Sequence, residues 1–225
     1  MNALLAPQSG QYCNRTDSSH TVTVKSVADL PTIFAPDVQV ICWRRPPLHA
    51  ISSYLSDPGV NIGTGFLRVV DAGKLPHLPE LPAAPGRDAL LADIDFLGSV
   101  YADLLGCPAI GLRLEAVDRA MCPRLHKDHT GIRLLCTYRG PATEWLDDCY
   151  VNRDRLGNGS DGLPDETSGA MRPGAEIESA KPFDVVLLKG SLWQGNAARG
   201  AIHRSPAVGS HEAPRVLLAM DAIWD

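Results

Sequence analysis

The sequence predicts an α+β protein whose working half is a β-sandwich or barrel. Three observations carry that expectation. One long amphipathic helix, residues 87–106, precedes most of the strand signal. A run of short β-rich segments follows it, at 110–117, 132–138, 183–190 and 214–224. Helices leading and strands following is the order of segregated α and β structure rather than of a βαβ repeat. At 225 residues, 44% hydrophobic and 21% charged, the chain can bury a sizeable core as one large domain.

The elements are taken in chain order. Residues 1–20 are polar and aperiodic and read as a flexible N-terminal tail, leaving 21–225 as a single domain. "VQVICW" (38–43) reads as a strand, rich in β-branched residues and stopped by Arg44-Arg45-Pro46-Pro47. "LHAISSYL" (48–55) reads as a short helix closed by the turn signal Asp57-Pro58-Gly59. Prolines and glycines in 73–87 mark a connector. In "RDALLADIDFLGSVYADLLG", Leu90, Ile94, Leu97, Tyr101 and Leu104 recur at steps of three and four, and Gly106 suits a helix C-cap. That helix is expected to pack on a sheet. "IGLRLEAV" alternates Ile110, Leu112, Leu114 and Ala116 on one side, as a half-buried strand does. "IRLLCTY" (132–138) is a second strand, and "TEWL" and "CYVNR" are short further candidates. Residues 154–180, rich in Gly, Asp, Glu and Ser, read as a long surface loop of the kind that covers a site. "FDVVLLKG" and "PRVLLAMDAIW" are the last strong strands. No internal repeat appears.

Charge and composition exclude several functions. A net charge of −5 and the absence of a Lys/Arg-rich tract argue against nucleic acid as a partner. The longest aliphatic runs are too short to span a bilayer, and the N-terminus lacks a signal-peptide pattern. The expectation is therefore a cytoplasmic protein with no membrane partner. Six cysteines, none in a C-x-x-C pair, are expected to be reduced, with Cys42 and Cys136 buried as small hydrophobes.

The chemistry gathers in "CPRLHKDH" (122–129). His126 and Asp128 form an H-x-D pair, and on a strand side chains two apart point to one face. A third ligand is available in "AIHRSP", where His203 precedes the final strand. Two imidazoles and one carboxylate with an open face describe the ligand set of non-haem Fe(II) oxygenases. Arg215 stands twelve residues after His203. A guanidinium there can take the far carboxylate of a 2-oxo acid in a two-pronged hydrogen bond. Arg133, on the strand after the pair, is the alternative anchor. A zinc site from Cys122, His126 and His129 would need a looped or helical segment, which Pro123 disfavours as a regular helix. Glu144 reads as an exposed charge and Trp145 as a packing or substrate-side residue. Arg204 is expected to face away from the metal, and Trp193 and Gln194 to line the pocket.

H-x-D, a distant His and a following Arg resemble the Fe(II)/2-oxoglutarate dioxygenases. That resemblance implies a double-stranded β-helix, or jelly roll, with supporting N-terminal helices. It also implies His126, Asp128 and His203 as iron ligands and Arg215 as the co-substrate anchor. Leu217 departs from the pattern, standing where many such enzymes carry a small hydroxyl residue. The finer text, "CPRLHKDH", "RLLCTYRGPATEWL" and "IHRSP" followed by "RVLLAMD", resembles a bacterial domain-of-unknown-function family, number eighteen twenty-six, over most of 37–224. The function expected is Fe(II)- and 2-oxoglutarate-dependent hydroxylation of a small-molecule or peptide substrate. Two alternatives stay open. One is a cupin-like metalloprotein without a 2-oxo acid, either another oxygenase or a zinc hydrolase. The other is a non-catalytic protein of metal supply or sensing.

Overall fold

The structure is a computed structural model that describes residues 20–74, 78–209 and 213–224. The predicted N-terminal tail falls outside these residues except for His20. His20 is held, with its backbone N–H 3.0 Å and its Nδ1 3.1 Å from the Asp147 carboxylate.

Among the described residues, ten strands form two sheets. They are β1 (Thr21–Val24), β2 (Val40–Trp43), β3 (Gly65–Asp71), β4 (Ala109–Val117), β5 (Ile132–Arg139), β6 (Glu144–Leu146), β7 (Ile177–Ser179), β8 (Val185–Lys189), β9 (Ile202–Arg204) and β10 (Arg215–Ile223). The helices are α1 (His49–Ser56), α2 (Arg87–Leu105) and the single turn α3 (Asp165–Ser168). The large sheet runs β1-β2-β8-β5-β10-β4-β3 and the small one β7-β6-β9. Every pairing is antiparallel except β1 with β2. The fold is therefore mixed α and β, dominated by one large, mostly antiparallel sheet.

The period-two pattern of the strands sorts side chains to two cores. On β5, Ile132, Leu134, Cys136 and Tyr138 join the core under the helices. Leu135, with Val40, Cys42, Val186, Leu188, Leu217 and Ala219 of its neighbours, packs toward fully buried Trp145 of the small sheet. Helix α2 lies on the first face through Leu90, Ile94, Leu97 and Tyr101, as its period predicts. It ends at Gly106, whose φ of 65° is the left-handed conformation that a glycine adopts without strain.

Some expectations change. Helices do not simply lead, because β1, β2 and β3 interleave with them. β1 is a short β-branched run, TVTV, next to the predicted tail, whereas in β3 Leu67, Arg68 and Val69 are all exposed, so no alternation shows. "CYVNR" is not a strand. The Asp147 side chain accepts from Cys149 N–H and caps a 3-10 turn at Asp148–Tyr150. Only Val151 makes a strand-like bridge, to Met171. The 154–180 segment is more structured than its composition suggests. It holds two 3-10 turns, α3 and β7, and it buries Ser160, Asp165, Ser168 and Ala170.

Candidate metal centre

His126, Asp128 and His203 come together at one edge of the space between the sheets. His126 and His203 form an isolated antiparallel bridge, each N–H donating to the other's carbonyl at 3.0 Å. That pairing sets the two rings side by side, with centroids 4.4 Å apart. Asp128, two residues on, returns to the same side. Its backbone carbonyl is fixed by Ser191 through N–H at 3.0 Å and Oγ at 3.1 Å. One ligand atom from each of the three side chains lies within 4.8 Å of the others.

The backbone decides which nitrogen faces the centre. His126 Nδ1 is 2.8 Å from the Arg124 carbonyl, and His203 Nδ1 is 3.1 Å from the Ala201 carbonyl. A carbonyl oxygen only accepts, so each Nδ1 carries the proton and each Nε2 keeps its lone pair. Both Nε2 atoms approach Asp128, at 3.6 Å to Oδ1 and 3.5 Å to Oδ2. Metal–ligand bonds of about 2.0–2.2 Å place adjacent ligand atoms roughly 3–3.5 Å apart, so a single first-row ion matches this spacing. Backbone carbonyls behind ligating histidines are the usual orienting partners. The donor set therefore fits a metal.

Charge is arranged around Asp128. Burial alone would raise its pKa. The His126 contact and the positive character of His203 and Arg133 outweigh burial and hold the carboxyl well below the usual range. Burial pushes His203 down to about 4 despite Asp128, which keeps that imidazole neutral and able to bind metal. For His126, burial also lowers the pKa, but Asp128 and the Arg124 carbonyl win and the net shift is upward. Arg133 donates to Asp128 Oδ2 at 2.6 Å and grips both oxygens of Asp221 at 2.8 Å. Its fork is thus filled by two carboxylates, and its role in this arrangement is to hold Asp128.

Arg215 is different. It is 1% exposed and lines the same cavity, of about 150 Å³, as His126, Asp128 and His203. One terminal nitrogen donates to the hydroxyls of Thr137 and Thr143 at 3.1 Å each. Its Nε is buried without a partner, and no carboxylate among the described residues pairs with it. Burial lowers its pKa to about 10, against the weaker pull of Glu115 and Glu144.

The other predicted residues fall as follows. Cys122 lines the cavity but is exposed and is not among the gathered ligands, and His129 is exposed beside Ser191. Arg204 pairs with Glu144, Asp165 and Glu166, so Glu144 is an ion-pair partner rather than a free surface charge. Trp145 packs between the sheets, its indole N–H donating to Thr21. Trp193 and Gln194 line a separate cavity. Sequence reasoning missed Asp221 and Asp165. Asp165 accepts from the Leu125 N–H at 2.9 Å and from Arg204 at 3.0 Å, so it ties the long loop to the neighbours of both ligating histidines. The loop's composition gave no sign of this. Asp221 lies directly across from Arg133 in the register of β10 on β5, a pairing that strand parity alone does not give.

Fold and site together define a two-sheet protein with a two-histidine, one-carboxylate centre beside a buried arginine. The sequence profile of the family described as "Protein of unknown function (DUF1826)" matches residues 24–221. The chain belongs to that family. No curated protein matches it. Among solved structures, it is similar to the rice dioxygenase for auxin oxidation, at 17% identity, over 90% of this chain and 82% of that one, with a TM-score of 0.45. It is also similar to a Pseudomonas putida prolyl-4-hydroxylase, at 10% identity, over 88% and 99%, with a TM-score of 0.45. A 2-oxoglutarate complex of the Arabidopsis thaliana dioxygenase for auxin oxidation 1 is similar at 10% identity, over 91% and 92%, with a TM-score of 0.44. No helix among the described residues is long and apolar enough to cross a membrane.

Proposed function

We propose that the chain is a mononuclear Fe(II)-dependent oxygenase that uses 2-oxoglutarate to hydroxylate a small-molecule or peptide substrate. One observation carries the reading: a buried arginine with no carboxylate partner shares a cavity with the metal-ligand triad. A buried charge without a counter-ion is costly, and a ligand carboxylate relieves that cost. The hydroxyls of Thr137 and Thr143 fix the guanidinium from one side, and the unpartnered Nε is available to an acid. Arg133 holds one oxygen of Asp128, leaving the other for the metal.

The order of strands supports a double-stranded β-helix. From β4 onward the chain visits the large sheet, the His126 bridge to the small sheet, the large sheet, the small sheet twice, then large, small and large again. That alternation is how a jelly roll places ligands from its second and seventh strands on the same side of the barrel. A bound Fe(II) would supply the redox chemistry with O₂ and the 2-oxo acid. The chain's own part is to present three ligand atoms and to anchor the co-substrate through Arg215 in the half-open pocket beside them. Cytoplasmic residence belongs to the same reading.

The test is anaerobic reconstitution with Fe(II), followed by titration with 2-oxoglutarate. A visible charge-transfer band that saturates at one equivalent is expected. Stoichiometric metal binding with no band and no 2-oxoglutarate turnover would leave only a metal-binding protein.

A further inference from the structure

A second cavity, of about 490 Å³, lies near the start of β5 and the end of β10. It shares no lining residue with the metal-side cavity. Its walls include Ile132, Leu192, Trp193 and Trp224. Leu192 is 58% and Trp224 56% exposed, an unusual amount of large apolar surface to leave to water in one concavity. Trp193 is braced from outside the cavity by stacking on Phe34, with centroids 5.6 Å apart and planes 20° apart.

The polar lining is selective. Thr130 contributes a buried hydroxyl with no hydrogen-bond partner. Among the described lining residues, Asp221 is the only charged one, and none is a lysine or arginine. Both oxygens of the Asp221 carboxylate accept from Arg133 at 2.8 Å, and the side chain is still 35% exposed. Indole faces attract cations, and more strongly where water is partly excluded. Two indoles, an aliphatic wall, one carboxylate and an unsatisfied hydroxyl are complementary to one kind of ligand.

We propose that this cavity binds an organic cation with a flat apolar body, its charge toward Asp221 and its body against Trp193 and Trp224. The volume lies in the range of small-molecule sites, roughly 300–1,000 Å³. The proposal needs no metal at the triad, although Asp221 is joined to Asp128 through Arg133.

The probe is benzyltrimethylammonium, titrated into the full chain while indole fluorescence is followed. Benzyl alcohol and phenylacetate serve as its neutral and anionic counterparts. Saturable quenching by the cation is expected, with the alcohol at least ten-fold weaker and phenylacetate without effect. Trp224→Ala should weaken the cation at least five-fold while Trp193 still reports. Leu192→Lys, at an exposed position, should abolish cation binding by placing a like charge on the wall, with an unchanged circular dichroism spectrum. Equal affinity for the three probes would overturn the proposal, as would wild-type affinity in either variant.

Discussion

At the scale of single residues, two arginines on neighbouring strands do different work. Among the described residues, Arg215 pairs with no carboxylate and Arg133 pairs with two. The expected consequence is a clean separation of phenotypes. Arg215→Ala should weaken 2-oxoglutarate by about ten- to a hundred-fold, the equivalent of a charge-assisted hydrogen bond of about 1.5–3 kcal/mol. Metal affinity should hardly move. Arg215→Lys should restore only part of the loss, since an ammonium lacks the planar fork. Arg133→Gln should do the reverse, lowering metal affinity by about ten-fold or more through a loosened Asp128. In that variant, 2-oxoglutarate affinity at saturating metal should be nearly unchanged. Titration calorimetry with Zn(II) in place of iron measures both. A loss of co-substrate binding in Arg133→Gln alone would move the anchor to Arg133. The triad and Arg215 were legible because H-x-D obeys a local parity rule and the later residues sit in recognisable flanking text. The occupation of Arg133 was not, since Asp221 is 88 positions away and the pairing appears only once β5 and β10 are aligned.

At the scale of elements, the segment between β6 and β8 reaches across to the centre. Its α3 carries Asp165, which is 5% exposed and bonds to the backbone beside His126 and the side chain beside His203. Arg124 returns the contact, donating to Ser160 Oγ at 2.6 Å and to the Gly162 carbonyl. Asp165→Asn keeps the size but removes the charge that Arg204 faces. It should increase tryptic cleavage within 154–180 several-fold and lower metal affinity, with the sheets intact by circular dichroism. Unchanged cleavage and unchanged metal binding would show that the loop does not brace the histidines. Strands with a buried alternating face, such as β4, β5 and β10, were legible from their period. β3 was not, because its exposed residues at three successive positions break the alternation. The loop was misjudged for a related reason: polar residues hold it in place, and composition counts them as solvent-facing.

At the scale of the whole molecule, the large sheet is the floor under the metal-side cavity, and the helices close its other face. The breadth of that sheet, seven strands among the described residues, was not legible, because β1 is only four residues long and β3 lacks the buried alternation that marks the inner strands. The same architecture sets a stability prediction. Metal with 2-oxoglutarate should raise the melting temperature more than metal alone, because a ligand at one hundred times its Kd contributes about 2.7 kcal/mol. The extra gain should vanish in Arg215→Ala, as differential scanning calorimetry can check. If succinate, which lacks the 2-oxo group, gave the same rise, chelation at the triad would not contribute to co-substrate binding. The buried guanidinium of Arg215 also has a consequence outside catalysis. Buried with no carboxylate in contact among the described residues, it should make the empty protein the less durable form. Opening, and hence exposure to proteases, should be commoner when co-substrate is scarce, so the abundance of the chain in a cell would follow the supply of the acid that fills it.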